Sequence, residues 1–310
     1  MASAHQCPED SLLLTPQSSP EKILVLGGKR GLLGQALVYL LRRKGYTVLE
    51  HGVEDVDIFD TQALCTFLDQ IQPDCVLNTI AYTQVDQAEQ EPEMAFRLNK
   101  TFPHILANIA HGRGLYLVSY STDFVFDGKK QSPYSPEDEP CPLCVYGKSK
   151  LEGERELYKL APSRLLIIRT SWLFGPWKQN FVHRILELAE QNRLLPVVHD
   201  QIGSPTFTLD LAYYTEQLIR QHATGIFHVC NSGQASWCEL AAEALGTAGR
   251  SCQVQAVTSD RFPQTATRPS YSVLDHSKYS LLSGKKPRPW PQALRDYLFC
   301  YESEHMALED

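Results

Sequence analysis

The fold is decided by a short stretch near the start of the chain, Ile23-Leu-Val-Leu-Gly-Gly-Lys-Arg-Gly-Leu-Leu-Gly34. Its first four residues form an apolar run, which predicts a buried strand. The residues after it have the helical spacing of Leu and Val as far as Arg43. The turn between the two elements is rich in glycine, which allows a tight bend and the close approach of a pyrophosphate to the backbone. The strand, the glycine turn and the helix together predict a dinucleotide-binding loop. The residues of this loop are Gly28, Lys29, Arg30, Gly31, Leu32, Leu33 and Gly34.

The simpler alternative is a glycine turn that only packs the first helix on the sheet. A glycine pattern alone is weak evidence, and its position between a strand and a helix is what favours the dinucleotide. In that setting the exposed N–H groups and the dipole of the helix hold the phosphate anion.

Strands and helices alternate along the first 170 residues. Short apolar runs predict further strands at 46–49, 75–78, 115–120 and 165–169, and helical patterns lie between them at 61–71, 93–110 and 146–160. Parallel neighbours need crossover connections, so this order predicts an α/β fold with a doubly wound parallel sheet of the Rossmann type. The ligand crevice of such a sheet lies at the carboxyl ends of its strands.

The pattern is looser after residue 170, where short strands and helices are separated by Pro and Gly. We expect a disordered leader at 1–20, a dinucleotide-binding domain at 21–170 and a short tail at 301–310. Residues 171–300 then form a second, smaller α/β domain for the substrate, interleaved with late elements of the first.

Composition excludes several classes of protein. The 310 residues are 43% hydrophobic and 21% charged, which is typical of a globular protein and excludes general disorder. The net charge of −7 argues against a nucleic-acid binder, because phosphate neutralisation needs a basic face. No stretch approaches the roughly 18 apolar residues of a membrane span. We therefore expect no nucleic-acid partner and no membrane partner, and a homodimer is compatible with the sequence.

The nine cysteines are an odd number scattered through apolar segments, which indicates reduced thiols in a cytoplasmic protein. The pair Cys141 and Cys144 is the single CxxC. It has no second pair of ligands nearby, so we predict a loop there and no metal site.

The adenosine end of the dinucleotide leaves two cofactors open. The second strand ends near Glu50, where an acidic side chain accepts hydrogen bonds from the ribose hydroxyls of NAD. Lys29 and Arg30 would instead neutralise the 2′-phosphate of NADP. Both NADPH and NADH remain candidates at this point.

Tyr146 and Lys150 open the helix that follows a proline-rich loop. Their i,i+4 spacing places both side chains on one helix face. A lysine charge beside a phenol favours the phenolate and lowers the pKa of the tyrosine, so that it exchanges a proton with a carbonyl oxygen near neutral pH. A YxxxK pattern is common by itself, and its position downstream of the glycine loop is what indicates catalysis.

Ser121, Thr122 and Asp123 follow the fourth strand, at the edge of the sheet where the crevice is expected. A hydroxyl group in this place, that of Thr122, would hydrogen-bond the reacting oxygen. The alternative is a Ser/Thr turn with a local hydrogen bond.

These motifs together resemble the extended short-chain dehydrogenase/reductases, and more narrowly the dTDP-4-dehydrorhamnose reductase family. The resemblance runs from about residue 22 to 299, with its motifs in order. Its segments are Ala81–Glu89, Ser121–Gly128, Val145–Glu154, Arg169–Gly175, Asp200–Thr206 and Arg268–Asp275. The resemblance implies NAD(P)H-dependent reduction of the 4-keto group of a nucleotide-activated deoxysugar.

The resemblance also implies roles for individual residues. Tyr146 would be the general acid, with Lys150 as its partner and ribose ligand and Thr122 beside them. The remaining contacts of the cofactor would come from Asp57 and Ile58 at the adenine and from Ala81, Tyr82 and Thr83 along the nicotinamide half. The substrate would be met by Thr122, Asp123, Trp172 and, at the diphosphate, Arg268. The alternatives are core packing for Trp172 and a surface salt bridge for Arg268.

Two positions depart from the family pattern. Some members bind Mg²⁺ through a Glu two residues after the last loop glycine, where this chain has Ala36, so we predict no metal there. Tyr82 stands where many relatives have a smaller residue or His.

Two other functions remain open. A dehydratase or epimerase on the same fold would need a second acid/base, and Phe124 stands where dehydratases of the superfamily carry Glu. A non-catalytic regulatory subunit that binds NADP, similar to the β subunit of methionine adenosyltransferase, shares several of the same segments.

Overall fold

Parallel strands form the central sheet of the chain. The computed structural model describes residues 21–160 and 162–306, and within them twelve strands are present. In chain order they are β1 (Lys22–Leu26), β2 (Thr47–His51), β3 (Cys75–Asn78), β4 (Tyr116–Thr122), β5 (Leu165–Thr170), β6 (Leu173–Phe174), β7 (Leu194–Val198), β8 (Ile202–Gly203), β9 (Thr206–Phe207), β10 (Gly225–His228), β11 (Ala235–Ser236) and β12 (Gln253–Val257). Six of them form one sheet in the order β10-β5-β4-β3-β1-β2, and every neighbouring pair in it is parallel. This confirms the predicted α/β doubly wound fold.

Helices cover both faces of this sheet, as right-handed crossovers between parallel strands require. In chain order the helices of the described residues are α1 (Leu32–Arg43), α2 (Thr61–Ile71), α3 (Val85–Gln90), α4 (Pro92–Phe96), α5 (Phe102–Arg113), α6 (Val145–Leu160), α7 (Phe181–Gln191), α8 (Thr208–Arg220), α9 (Trp237–Thr247), α10 (Ser277–Ser283) and α11 (Trp290–Met306).

Two apolar cores lie on the two faces of the sheet. On one face, α1 and α8 bury Leu37 and Leu218 against the strands. On the other face, α2, α5 and α6 bury a second set that includes Phe102 and Leu157. Each fully buried side chain of this size contributes about 1.5–3 kcal/mol from the removal of apolar surface from water. The sheet is therefore covered on both faces.

The strand order reverses between β1 and β3, since β1 pairs with β2 on one side and with β3 on the other. A crevice forms outside the carboxyl ends of the strands at such a reversal. The glycine loop follows β1 directly at this point. Thr79, which follows β3, lies beside it and donates to the carbonyl of Leu26 from both its N–H and its hydroxyl, at 3.1 and 2.7 Å.

A helix predicted over 93–110 is interrupted. It begins at Pro92, and a wide turn of π-helix at Arg97–Thr101 separates α4 from α5. This turn faces α6, where a Cβ at Gly153 would collide with the carbonyl of Asn99. Bulges of this kind are frequent at functional sites, and here the turn aims the Asn99 side chain inward.

The second half of the chain forms a further core around α7, α9 and α11, with three small two-stranded sheets, β12–β7, β11–β8 and β6–β9. The helix α9 is fixed at its start by a capping box between Ser236 and Glu239. In contrast, β10 belongs to the central sheet although it lies late in the chain.

The helix α11 continues to Met306, into the segment 301–310 that the sequence set apart as a tail. The leader predicted at 1–20 lies outside the described residues. Among the helices that the structure describes, none combines the length and the apolar composition needed to cross a membrane.

Candidate functional site

The glycine loop brings the backbone of β1 against the first turn of α1. A Cβ at Gly34 would collide with the carbonyl of Gly27 and lie 2.9 Å from the Cα of Gly28. The helix begins after Gly31, which offers no side chain to its free N–H groups, and no acidic residue lies in its first turn. Leu32 is half-buried and Leu33 is buried. The loop therefore leaves an uncapped helix N-terminus at the carboxyl edge of the sheet, which is the geometry that favours a phosphate.

The basic residues of the loop are held by two acids that follow β2. The Nζ of Lys29 lies 2.7 Å from Asp55 and 3.4 Å from Glu54, and the guanidinium of Arg30 lies 3.7 Å from Glu54. Glu50 lies next to the loop, with its Cβ 3.0 Å from where a Cβ at Gly28 would stand.

Glu50 is itself paired with Arg42 at 3.3 Å. Glu50, Lys29 and Arg30 were predicted as alternative contacts of the adenosine end of the cofactor. The structure places the Glu50 carboxylate and these two basic residues close together around the glycine loop.

Asp57 and Ile58 lie in the turn between β2 and α2. The carboxylate of Asp57 is exposed and accepts from the N–H of Phe59 at 2.9 Å, which shapes the turn. Ile58 is half-buried and packs against the core under α2 and α5. Asp60 accepts from the N–H of Ala63 and caps α2.

Asn99, which the sequence did not single out, fixes the segment after β3. Its Oδ1 accepts from the N–H of Tyr82 at 2.8 Å, and its Nδ2 donates to the carbonyl of Tyr82 at 3.0 Å and to the Oγ of Ser149 at 2.9 Å. Ala81 and Thr83 flank this pinned residue. One buried amide therefore ties the segment predicted to run along the cofactor to the helix that carries Tyr146 and Lys150.

Tyr146 stands at the start of α6, half-buried beside the end of β4. Its ring packs edge-on to Phe124, with ring centroids 5.6 Å apart, and it shares an apolar cluster with Tyr82. Burial raises the pKa of the Tyr146 phenol, although a hydrogen bond with Thr122 acts in the opposite direction. The expected lowering of this pKa by Lys150 is wrong, because burial of the phenol dominates.

Lys150 is buried one turn further along α6. Its Nζ donates to the carbonyl of Tyr120 at 2.6 Å. Burial lowers the pKa of Lys150 to about 8, against the attraction of the Glu154 carboxylate. The exposed Lys148 lies on another face of the helix.

Thr122 and Asp123 end β4 as the sequence placed them, and both are buried. The Thr122 hydroxyl is 3.1 Å from one carboxylate oxygen of Asp123, and the other accepts from the Oγ of Ser272 at 2.5 Å. Burial raises the pKa of Asp123 to about 6, and the hydrogen bonds from Ser272 and Thr122 oppose that rise.

Trp172 and Arg268 occupy different settings. Trp172 follows β5, is partly exposed and stacks on Trp237. Arg268 forms a two-pronged ion pair with Asp86, with its Nη2 2.6 Å from one carboxylate oxygen and its Nη1 3.1 Å from the other. The structure therefore places Arg268 in the salt bridge that the sequence offered as the alternative to a diphosphate contact. Asp86 opens α3, so the pair joins the segment after β3 to the second half of the chain.

The structure brings most of the predicted residues to one edge of the sheet. The sequence missed Asn99, Glu154, Ser272 and Trp237, whose roles depend on contacts between distant segments. Among the residues that the structure describes, no cluster of three or more His, Cys, Asp or Glu is arranged to hold a metal ion.

Known proteins of the same kind match nearly the whole chain. The family model described as the RmlD substrate binding domain matches residues 21–302. The spore coat polysaccharide biosynthesis protein SpsK of Bacillus subtilis is 40% identical over 277 residues, which cover 89% of this chain and 96% of that protein. The dTDP-4-dehydrorhamnose reductase of Aggregatibacter actinomycetemcomitans is 37% identical over 286 residues, with 88% and 97% covered.

A crystal structure of dTDP-4-dehydrorhamnose reductase from Bacillus anthracis in complex with NADP is 32% identical. It superimposes with a TM-score of 0.87 over 90% of this chain and 99% of that one. The chain therefore belongs to the dTDP-4-dehydrorhamnose reductase family of the extended short-chain dehydrogenase/reductases.

Proposed function

We propose that this protein is an NAD(P)H-dependent reductase of the 4-keto group of a nucleotide-activated deoxysugar, and that dTDP-4-dehydrorhamnose is its substrate. The observation that carries the proposal is that Lys150, one turn along α6 from Tyr146, is buried and donates to the carbonyl of Tyr120 at 2.6 Å, in the strand that ends at Thr122. This group of polar side chains lies at the carboxyl edge of the sheet that also carries the glycine loop. In this proposal residues 21–170 hold the cofactor, and residues 171–300 contribute most of the substrate contacts.

The glycine loop supports the choice of cofactor. A side chain at Gly34 would fill the space between loop and helix, so this position keeps the backbone available to a pyrophosphate. When bound, the reduced nicotinamide supplies the hydride. Glu50 suits the ribose hydroxyls of NADH, and Lys29 with Arg30 suits the 2′-phosphate of NADPH. We therefore propose that either cofactor binds; the relative from Bacillus anthracis was crystallised with NADP.

The residues of the chain then handle the proton and the oxygen. Tyr146 holds its proton at neutral pH because burial raises the pKa of the phenol, and a protonated phenol is the form that can donate to the developing alkoxide. Thr122, at the end of β4, is proposed to steady the same oxygen with its hydroxyl. Lys150 lies on the same face of α6 as Tyr146, and its Nζ donates to the carbonyl of Tyr120 in β4. We propose that Lys150 binds the ribose of the cofactor.

The substrate contacts follow from the residues around this group. Asp123, next to Thr122, and Trp172, next to the end of β5, are proposed to meet the sugar ring. Arg268 could bind the diphosphate only if its guanidinium released Asp86, so a bound diphosphate would compete with the Arg268–Asp86 ion pair.

Phe124 supports a reductase over a dehydratase. Its ring packs on Tyr146 at the position where a dehydratase needs a second carboxylate, and an apolar ring cannot transfer a proton.

The test is incubation of the purified protein with dTDP-4-dehydrorhamnose and NADPH or NADH. The expected result is stoichiometric loss of the nicotinamide absorbance together with formation of a dTDP-deoxysugar. An epimerase would isomerise the sugar without net oxidation of added NADPH. Tight NADPH binding without turnover of any 4-keto sugar nucleotide, together with co-purification of a partner enzyme, would support the regulatory subunit and overturn the proposal.

A further inference from the structure

Two tryptophans lie face to face at the edge of the proposed sugar site. The ring centroids of Trp172 and Trp237 are 3.5 Å apart, and the ring planes differ by 3°. Resting on the proposed function, we infer that Trp237 is a positioning residue that holds the indole of Trp172 in the orientation required by the sugar of the substrate.

The backbone of Trp172 adopts a conformation that its surroundings must impose. Its φ is +48°, in the left-handed region that a bulky residue seldom occupies. Such a conformation persists only where neighbouring contacts over-determine it. The carbonyl of Trp172 accepts from the N–H of Thr206 at 3.1 Å, and the hydroxyl of Ser171 donates to the carbonyl of Ser204 at 2.7 Å. These bonds fix the main chain, and the indole needs a separate support.

Gly203 in β8 and Trp237, which directly follows the neighbouring strand β11, provide that support. A Cβ at Gly203 would lie 2.6 Å from Nε1 and 2.7 Å from Cζ2 of Trp172, so only glycine leaves room for the indole. Gly203 in β8 is the register partner of Ala235 in β11, and Trp237 follows β11 at once. The pairing of β8 with β11 thus sets the distance between Gly203 and the indole of Trp237.

Trp237 is supported in turn. It is the first residue of α9, whose start is fixed by the capping box, and its ring contacts Phe181 with centroids 4.5 Å apart. Two stacked indoles, one of them held against a third, tilted aromatic ring, lose little further freedom when a ligand arrives. A pre-ordered surface of this kind improves affinity by reducing what must be ordered on binding.

The stack is joined to the reacting group by hydrogen bonds. Ile202, the residue before Gly203, donates to the carbonyl of Ser270 at 2.9 Å and accepts from the N–H of Ser272 at 2.8 Å. Ser272 also donates to Asp123. The strand β8 therefore contacts the Trp172 indole through Gly203 and binds Ser272, the partner of Asp123, through Ile202. This connection places the stacked pair near the proposed substrate site.

The chemistry of the stack selects its ligand. Trp172 and Trp237 both remain partly exposed. A flat, electron-rich indole face suits the C–H face of a pyranose ring, and a deoxysugar presents more apolar surface than its fully hydroxylated parent. The pair would thus orient the sugar ring while the hydroxyls of Thr122 and Tyr146 meet its carbonyl oxygen.

The experiment compares Trp237→Phe and Trp237→Leu with Trp177→Phe and Trp290→Phe. The chain has four tryptophans, so the last two variants are matched controls outside the stack. Two readouts are taken: the circular dichroism couplet of closely stacked indoles, and the steady-state constants with dTDP-4-dehydrorhamnose and NADPH. Thermal unfolding of each variant establishes that it is folded.

We expect the couplet in the wild type and both controls and its loss in both Trp237 variants. The KM for the sugar nucleotide should rise about threefold in Trp237→Phe, which retains a smaller ring, and about tenfold in Trp237→Leu. The Kd for NADPH, measured by direct binding, should stay unchanged in all four.

A folded Trp237→Leu enzyme with an unchanged KM overturns the inference, because the stack would then be core packing only. Absence of the couplet in the wild type overturns it as well. Absence of turnover and of dTDP-sugar binding in the wild type instead overturns the proposed function, and the inference with it. These outcomes are distinguishable, since the first leaves the wild-type reductase active.

Discussion

Arg169 in β5 forms a buried ion pair with Glu154, which lies in α6 one helical turn beyond Lys150. Its Nε and Nη2 donate to the two carboxylate oxygens at 3.0 and 2.7 Å, and the two side chains are only 2% and 5% exposed. The attraction of the Glu154 carboxylate partly offsets the lowering of the Lys150 pKa by burial. The pair therefore connects the core of the sheet to the charge state of the active-site lysine.

The variant Glu154→Gln tests this connection. Without the carboxylate, the pKa of Lys150 should fall below its present value of about 8, so the alkaline limb of the pH–kcat profile should move to lower pH. Arg169 would be left buried without its partner, which should cost about 3 kcal/mol of unfolding free energy. Glu152→Gln, at a partly exposed position of the same helix, is the control. An unshifted alkaline limb would show that Glu154 does not act on Lys150.

Tyr146→Phe removes the proton donor while keeping the ring that packs against Phe124. Since general acid catalysis contributes about 10²–10⁴-fold, we expect kcat to fall within that range. The Kd for NADPH, measured by titration, should change little. Tyr158→Phe, at an exposed position of α6, should keep full activity. Wild-type turnover by Tyr146→Phe would remove the tyrosine from the mechanism.

Asp123 should give the protein a measurable pH dependence of stability. Its folded pKa of about 6 lies above the ordinary value of 3.8, because burial favours the protonated carboxyl. The folded protein therefore holds this proton more tightly than the unfolded chain does, and the associated stability is present below pH 3.8 and lost as the pH rises through about 6. The change corresponds to about 3 kcal/mol.

The variant Asp123→Asn cannot ionise at this position. Its unfolding free energy relative to that of the wild type should therefore increase by about 2.5 kcal/mol between pH 4 and pH 7, as measured by urea unfolding. Asp138→Asn provides a control of opposite sign, since hydrogen bonds from Lys130 and Ser135 outweigh partial burial and lower the pKa of Asp138. A constant difference between Asp123→Asn and the wild type would contradict the assigned pKa.

The strands and the family were predictable because their signals are local. Apolar runs mark β1, β3 and β5 with errors of one residue, and the glycine loop lies between a strand and a helix as its spacing predicts. The motif positions of the family are fixed in the same way, since each one is a short continuous stretch.

What the sequence could not give are contacts between distant stretches. Asp86 and Arg268 are separated by 182 residues, and the sequence pattern around either residue does not predict its contact with the other. Asn99 can bind the backbone of Tyr82 because it lies in a turn of π-helix, which packs closely against Gly153. The helical periodicity of the sequence around Asn99 predicts an ordinary α-helix instead. The pKa of Tyr146 was wrong in direction because burial of the phenol depends on Phe124 and Tyr82, which only the fold brings together.

Gly34→Ala is the most direct test of the phosphate loop. The added methyl group would collide with the carbonyl of Gly27, and these are backbone atoms that cannot turn aside. The first turn of α1 must then move away from β1, which should raise the Kd for NADPH at least tenfold and cost about 1–3 kcal/mol of stability. Gly112→Ala is the matched control, because nothing lies within 4 Å of a Cβ at that helical position.

The control should bind NADPH normally and gain about 0.5–1 kcal/mol, since alanine is the better helix former. Fluorescence titration with NADPH and thermal unfolding measure both quantities in both variants. Gly34→Ala with wild-type affinity for NADPH would mean that the dinucleotide does not lie on this loop. Because the glycine is demanded by backbone geometry and not by a side-chain contact, a larger residue such as Val should deepen the defect further, and no second substitution in a side chain should repair it.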